Sequence, residues 1–295
     1  MHTIGVSPAY FISRYGEDFS PKNVAEGLGL LKELGYDAFQ LEVFDPNTLD
    51  EWVEEGAQIV RGEARRLGLV ATQFVAHFML HGFVSADTVK GSNEIESARK
   101  IIRIVERFDE CRLVTLPMGP YRPELTGTFR HADQWEKMRH RLSAVASIFA
   151  GADLRMAIEL IPGAFFAGTD GLAQIINELG PETVGYNFDT GHANACKENV
   201  AIVPYRFGRK ILGTHLCDNL GNENLSLRPG EGNIDWDAVF GALAATGYEG
   251  SLDVEIRCDP EDVTDKYDRA LRAIRELRTR YFGASLAARA GSSRE

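Results

Sequence analysis

Residues 132–160, ADQWEKMRHRLSAVASIFAGADLRMAIEL, contain the unit from which the whole chain is built. The first part of this stretch, up to Ala152, places apolar residues at helical spacing. The short apolar run RMAIEL, residues 155–160, follows almost at once and is typical of a buried β-strand. A helix that leads directly into a buried strand indicates an α/β chain with a parallel sheet.

The same alternation of strand and helix occurs eight times along the 295 residues. Eight such units account for a closed barrel of roughly 250 residues and leave no room for a second domain. The predicted fold is therefore α/β, a single (β/α)8 TIM barrel over residues 1–283. Residues 284–295, ASLAARAGSSRE, are small and charged and are predicted to form a flexible C-terminal tail. The strand candidates are Thr3–Ser7, Ala38–Phe44, Val70–His77, Leu113–Pro117, Arg155–Leu160, Val184–Asp189, Ile211–Leu216 and Ser251–Ile256.

Composition excludes several classes of partner. With 43 acidic against 32 basic residues, the net charge is −11, and no basic cluster is available to bind a phosphate backbone, so no nucleic acid partner is expected. The first residues lack a basic segment followed by a long apolar stretch, and no apolar run reaches the ~20 residues of a membrane span. Four widely spaced cysteines without a CxxC pair indicate free thiols. We therefore expect a cytoplasmic protein that does not contact a membrane.

Each of the last four strand candidates ends in a side chain that can bind a metal ion: Glu159, Asp189, His215 and Glu255. The C-terminal ends of barrel strands converge on one mouth, so residues far apart in the chain can meet there. Three carboxylates and one imidazole form an oxygen-rich set that suits a hard divalent ion. The sequence thus predicts one divalent metal ion, Mn²⁺ in the first place, with Mg²⁺, Co²⁺ or Zn²⁺ as alternatives.

Each of these residues also has a structural explanation when it is taken alone. Asp189 precedes a turn containing glycine and could cap the next helix. Glu255 could form an ion pair with Arg257, and His215 could be a buried core histidine. Ion pairing for stability would not place a ligand-competent side chain at all four of these strand ends, so a shared site is the better interpretation. His192, three residues after Asp189, could then orient or protonate a bound oxygen.

The chain resembles the xylose-isomerase-like superfamily of barrels, which includes sugar isomerases and epimerases, inosose dehydratases and apurinic endonucleases. The resemblance implies that the four strand-end residues bind one metal ion and that Glu159 and Glu255 remove and return a proton. The implied substrate is a small sugar, either a keto-sugar, a related polyol ketone or a keto-glycoside. The motifs that carry the resemblance are AIEL with Glu159, FDTGH with Asp189 and His192, THLCDN with His215 and Asp218, PGEGNIDW, and LDVE with Glu255.

The reaction implied by the resemblance is isomerisation or epimerisation through an enediolate, with Glu159, Glu255 and His192 as catalytic residues. His77 and His81 lie in VAHFMLHG after the third strand, and His77 is the preferred candidate. Glu42 and Trp236 are weaker candidates for a substrate contact. The residues predicted to bind the substrate are His77, His192, Asp218 and Arg257.

Departures from individual subfamilies keep other reactions open. Apurinic endonucleases have a histidine at the end of the fourth strand, where this chain has LVTLPMGP. Ketose 3-epimerases have an arginine shortly after the histidine of the seventh strand, where this chain has LCDNLGN. A lyase or dehydratase, a C-glycoside or 3-keto-glycoside deglycosidase, and a non-catalytic barrel subunit remain alternatives. The segments Gly82–Gly91 and Gly119–Gly127 are candidates for a lid over the mouth or for contact with a second copy or a partner subunit.

Overall fold

The computed structural model describes residues 2–85, 94–125, 130–166 and 168–291, with side chains as far as residue 283. Eight parallel strands form one sheet in the order β7-β6-β5-β4-β3-β2-β1-β8. A bridge between Leu216 and Val254 joins β7 to β8, so the sheet closes into the expected barrel. The strands are β1 Ile4–Val6, β2 Ala38–Glu42, β3 Val70–Val75, β4 Leu113–Met118, β5 Arg155–Leu160, β6 Val184–Asp189, β7 Ile211–His215 and β8 Leu252–Val254.

The predicted strands agree with the observed ones to within two residues at each end. The main difference lies at the C-terminal ends, where β2, β3 and β8 stop two residues earlier than predicted. At these points the chain leaves the sheet and turns into the loops of the barrel mouth. His77, for example, is predicted to end β3 but begins a 3₁₀ helix, His77–Phe83.

The helices alternate with the strands as the apolar spacing predicts. α2 shows the local signals clearly, because Ser20 caps its first turn and Gly35, with φ of 96°, ends it in the left-handed region. The connection between β6 and β7 contains two short α-helices, of which α9, with Pro204 in its first turn, has five residues. The helices are α1 Ala9–Tyr15, α2 Pro21–Leu34, α3 Leu49–Glu51, α4 Ala57–Leu67, α5 Glu94–Val105, α6 His131–Ala150, α7 Gly168–Leu179, α8 Thr190–Ala195, α9 Val203–Phe207, α10 Trp236–Ala245 and α11 Val263–Gly291.

The inside of the barrel below the mouth contains a hydrogen-bonded polar layer. Thr115 Oγ1 of β4 donates to Gln73 Oε1 of β3 at 2.6 Å, and Gln73 Nε2 donates to Asn187 Oδ1 of β6 at 3.2 Å. All three residues are buried. Because side chains in such a network are held in one arrangement, the layer gives the strand ends above it a rigid support.

Two sequence predictions fall partly on residues that the structure does not describe. The candidate lid segments include residues 86–93 and 126–129, which lie outside the described ranges. The backbone of α11 is described as far as Gly291. The flexibility expected from residue 284 onward is not tested by this and stays a prediction. The four cysteines are free thiols, as expected.

In the described part of the chain, no helix has both the length and the apolar character needed to cross a membrane.

Candidate metal centre and substrate cavity

The ends of β5, β6, β7 and β8 bring the four predicted ligands together at the barrel mouth. One ligand atom from each of Glu159, Asp189, His215 and Glu255 lies within 4.8 Å of all the others. His215 Nδ1 is 2.8 Å from Glu255 Oε2, 3.2 Å from Glu159 Oε1 and 3.9 Å from Asp189 Oδ2. The side chains therefore surround a single point, as the sequence predicts.

A residue of β2 contacts the imidazole of His215 at Nε2, the ring nitrogen opposite the one that faces the carboxylates. This Nε2 lies 2.9 Å from Oε1 of Gln40, and both side chains are buried. An amide oxygen can only accept, so this contact places the ring proton on Nε2 and leaves Nδ1 available for a metal ion. Such an outer partner typically orients a histidine ligand in metal sites.

Asp189 both caps a helix and faces the cluster. Its Oδ1 accepts a hydrogen bond from His192 N at 2.6 Å and so caps α8. Its Oδ2 is buried and has no hydrogen-bond partner among the described residues. Gly191 allows this turn to pack on β7, because a Cβ there would lie 2.5 Å from Cys217 Sγ. Asp189 therefore caps the helix through Oδ1, and its Oδ2 faces the cluster, where it could bind a metal ion.

The charges of the cluster fit a divalent cation. Burial raises the pKa of Asp189 to about 6, and nearby carboxylates add to this rise. Burial opposes ionisation of Glu159 and Glu255 too, but the adjacent His215 outweighs it and lowers the pKa of both. Burial lowers the pKa of His215, but Glu255 and Glu159 outweigh it and raise the pKa well above its usual value. Three buried carboxylates close together repel one another, and a cation bound among them would offset this repulsion.

His192 lies beside the cluster without belonging to its ligand set. Its Nδ1 is 3.3 Å from Glu159 Oε1 and 3.5 Å from Asp189 Oδ2. Its Nε2 lies 2.8 Å from Nδ2 of Asn224, in the loop after β7. Burial lowers the pKa of His192, but Asp189 and Glu159 outweigh it and raise the pKa to about 9. Because an amide nitrogen donates, Nε2 accepts from Asn224, and a proton on this ring lies on Nδ1, beside Glu159 and Asp189.

A cavity of about 580 Å³ opens above the cluster. Glu159, His192, His215 and Glu255 line its floor. His77 also lines it and stacks on Phe44, with ring centroids 4.9 Å apart. The apolar part of the wall comes mostly from the first half of the barrel and includes Ile12, Phe44, Val75, Leu80, Pro117, Pro120, Ile161 and Leu225.

Arg257 lines the rim of the cavity and does not pair with Glu255. Its Nη2 lies 3.6 Å from Glu17 Oε1, and both side chains are about half exposed. Glu255 instead contacts His215. The structural alternative for Glu255, an ion pair with Arg257, is therefore not what the structure shows.

Asp218 lies away from the cavity lining and organises the loop between β7 and α10. It is fully buried, and its Oδ1 accepts from the backbone N–H groups of Asn219 and Ile234 at 3.0 and 3.2 Å. Its Oδ2 accepts from Gly230 N at 2.9 Å and from the indole of Trp236 at 2.8 Å. Both oxygens are thus engaged within the protein, which gives Asp218 and Trp236 a loop-forming role, and the substrate contacts suggested for them stay predictions.

Sequence reasoning missed two residues around the site, Gln40 and Asn224, which contact the two histidines. Glu42, a weaker candidate for a substrate contact in the sequence, lines the cavity. A signal for the first was present, because Gln40 and Glu42 alternate with Phe39 and Leu41 in β2 and so share one face of the strand. No pattern in the sequence marks Asn224, which lies in an irregular loop.

Several known proteins are similar to this chain. An inosose isomerase from Bacillus velezensis is 23% identical over 250 residues, covering 79% of this chain and 83% of the relative. An L-ribulose 3-epimerase from Mesorhizobium japonicum is 23% identical over 231 residues, covering 76% and 72%. An inosose dehydratase from Clostridium botulinum is 26% identical over 145 residues, covering 43% and 49%. In several of the most significant sequence matches, the aligned part is less than half the length of the relative.

Solved structures support the fold. The structure of an L-ribulose 3-epimerase matches with a TM-score of 0.75 at 20% identity, covering 97% of this chain and 98% of the other. A zinc-bound IOLI protein matches with a TM-score of 0.74 at 16% identity, covering 95% and 99%. A family model described as a xylose isomerase-like TIM barrel matches residues 28–277. With the barrel and the cluster at its mouth, this match confirms the resemblance, and the chain belongs to the xylose isomerase-like TIM barrel family.

Proposed function

We propose that this protein is a divalent-metal-dependent sugar isomerase or epimerase that acts on a keto-sugar or a related polyol ketone through an enediolate. The observation that carries the proposal is the cluster itself, in which two glutamates, an aspartate and a histidine surround one point under a cavity. The names of the relatives, inosose isomerase and L-ribulose 3-epimerase, support the same class of substrate. Manganese is the proposed ion, because three carboxylates favour a hard cation.

We propose that the two glutamates transfer a proton at a substrate carbon between them. Glu159 comes from β5 and Glu255 follows β8, the outer strands of the four, while β6 and β7 supply Asp189 and His215 between them. A divalent ion held by these four residues would supply Lewis-acid polarisation of the substrate carbonyl. One glutamate then removes the proton from the adjacent carbon, and either glutamate returns it. Return to the same carbon from the other side inverts its configuration. Return to the former carbonyl carbon, together with transfer of the hydroxyl proton to the former carbonyl oxygen, gives the isomer.

The remaining residues bind and orient the substrate. His192, fixed by Glu159 and Asn224, can donate a proton or a hydrogen bond to a substrate oxygen. His77 and Arg257 both line the cavity, on its wall and at its rim, and are proposed to contact substrate hydroxyls. The apolar wall displaces water from the reacting end, which strengthens each of these polar contacts.

A dehydratase is the second candidate. Elimination needs a general acid near the leaving hydroxyl group, and His192 stands at the floor of the cavity within 3.3 Å of Glu159. The inosose dehydratases among the relatives support this alternative. The two candidates share the first step, removal of a proton next to a carbonyl, and differ in the product.

The test is proton exchange in D₂O. The metal-loaded protein is incubated with keto-sugars, inososes and 3-keto-glycosides, and each compound is followed by NMR. We expect deuterium to enter a carbon next to the carbonyl of at least one compound, and the product identifies isomerisation or elimination. Glu159→Gln and Glu255→Gln should lower the exchange rate by about 10²–10⁴-fold, the usual contribution of a general base.

The control is Glu33→Gln on α2, which makes the same chemical change at an exposed position. Because Glu159 and Glu255 are also proposed ligands, the metal content of every variant is measured alongside the rate. Absence of exchange with every compound, in protein that has taken up one ion per chain, would contradict the proposed function. A barrel that only holds a metal ion would then remain as the alternative.

A further inference from the structure

Strand β2 brings a second carboxyl side chain to the cavity from the other half of the barrel. Gln40 of this strand contacts Nε2 of His215 at 2.9 Å, so its side chain points towards the metal centre. Alternate residues of a strand point to the same side. Glu42 therefore lies on that side too, one level nearer the mouth, and it lines the cavity.

Glu42 is almost completely buried, and among the described residues its carboxyl group has no hydrogen-bond or ion-pair partner. Only 4% of its surface is exposed. The nearby cation Arg257 already contacts Glu17 at 3.6 Å. A buried polar group without a partner destabilises a fold, and the usual explanation is that a ligand or an ordered water completes its hydrogen bonds.

The chemistry of the position favours a hydroxyl group as the missing partner. A carboxyl side chain can accept hydrogen bonds from hydroxyl groups and, when it is protonated, can also donate one, so it matches the hydrogen-bonding capacity of a sugar hydroxyl. The carboxylates of Glu159 and Glu255 line the same cavity and would repel a phosphate or carboxylate group of a substrate.

We propose that Glu42 is a specificity-determining residue that binds a hydroxyl group of an uncharged polyol ketone on the β2 side of the metal centre. This inference rests on the proposed function, because it takes the substrate carbonyl to lie at the cluster. The substrate is then held at two places. Its reacting carbon lies between Glu159 and Glu255, and a hydroxyl group further along binds Glu42.

The test measures substrate binding and metal binding separately by calorimetric titration. The probes are Mg²⁺ alone, and then D-fructose and 2-keto-myo-inositol added to the Mg²⁺-loaded protein. Glu42→Leu removes the hydrogen-bonding group and should weaken binding of the sugar probe by about 10-fold. Glu42→Gln keeps a donor and an acceptor at the same place and should retain affinity within about 3-fold of the unsubstituted protein. Mg²⁺ affinity should be unchanged in both variants.

Glu33→Gln, exposed on α2, is the control for loss of a negative charge. Should Glu42→Leu fail to fold, Glu42→Met replaces it, because methionine keeps the length of the side chain. Equal sugar affinity in the apolar variant and the unsubstituted protein would overturn the inference about Glu42 alone. A parallel loss of Mg²⁺ affinity would also overturn it, since the residue would then act on the metal centre. If the unsubstituted protein binds Mg²⁺ but neither sugar, the proposed function and this inference both fail.

Discussion

The two halves of the barrel contribute different things to the same mouth. Strands β5 to β8 supply the charged cluster, with one ligand-competent side chain at each strand end. Strands β1 to β4 and the segments after them supply mainly the cavity wall, including Phe44, Val75 and Leu80, together with Gln40 behind the cluster. The comparison teaches that the ligand-competent groups are concentrated in one half, while the other half mainly shapes and supports the cavity above them.

The largest effect on metal affinity is expected from Asp189, a proposed ligand in the second half of the barrel. Asp189→Asn keeps an oxygen that can cap α8 but removes the charge that faces the cluster. We expect divalent-metal affinity to fall by more than about 100-fold, beyond the loss typical of outer-sphere residues. Calorimetric titration with Mn²⁺ measures it. Asp235→Asn is the matched control, because Asp235 caps α10 in the same way, accepting from Ala238 N at 3.0 Å. Unchanged Mn²⁺ affinity in Asp189→Asn would remove Asp189 from the ligand set.

The second-largest effect on metal affinity is expected from Gln40. Its substitution tests whether the first half of the barrel supports the proposed metal centre. Gln40→Leu removes the acceptor that fixes His215, so we expect metal affinity to fall by about 10–100-fold. Gln73→Leu is the control, since Gln73 is also a buried amide in the barrel but bonds to Thr115 and Asn187. Both variants should lose stability, and only the first should lose metal affinity. An equal loss in both would mean that the polar layer acts as a whole and that Gln40 has no particular role.

A smaller effect, on sugar binding, is expected from Phe44 in the apolar wall of the cavity. Phe44→Ala removes the ring that stacks on His77, at a centroid distance of 4.9 Å. We expect sugar binding to weaken by about 2–10-fold, the usual worth of an aromatic contact, with metal affinity unchanged. Titration with the sugar that shows exchange in D₂O measures the change. Tyr205→Ala, a truncation of an aromatic residue that is 61% exposed on α9, should bind this sugar normally. Loss of metal affinity in Phe44→Ala would break the division of roles between the two halves.

The smallest effect on the site is expected at Asp218, which lies in the reactive half but outside the cluster. Asp218→Asn weakens the hydrogen bonds that shape the loop between β7 and α10, so it should destabilise the fold by about 1–3 kcal/mol. The melting temperature should fall by a few degrees, as scanning calorimetry can measure, while metal and sugar affinity stay close to those of the unsubstituted protein. A normal melting temperature together with weaker sugar binding would instead restore the predicted substrate contact.

The sequence was informative about the ligands because their position follows from periodicity alone. An apolar run that ends in a charged residue places that residue at a strand end, and parallel strands all end at one mouth. Glu159, Asp189, His215 and Glu255 follow this rule, and the structure brings them together. Asp218 shows what the same reasoning leaves open. It follows His215 by three residues, but the chain turns away after β7 and directs the carboxylate into its own loop.

By itself, then, the sequence determined the order and number of strands, the closed barrel and the identity of the four clustered residues. These depend on local spacing and on a topology with few alternatives. Only the tertiary structure decided that Gln40 fixes His215, that Asn224 contacts His192 and that Glu42 faces the cavity without a partner. The first two contacts join side chains that are 175 and 32 positions apart in the chain. Glu42, in contrast, faces the cavity. Such relations depend on the packing of the closed barrel, which no local pattern in the chain records.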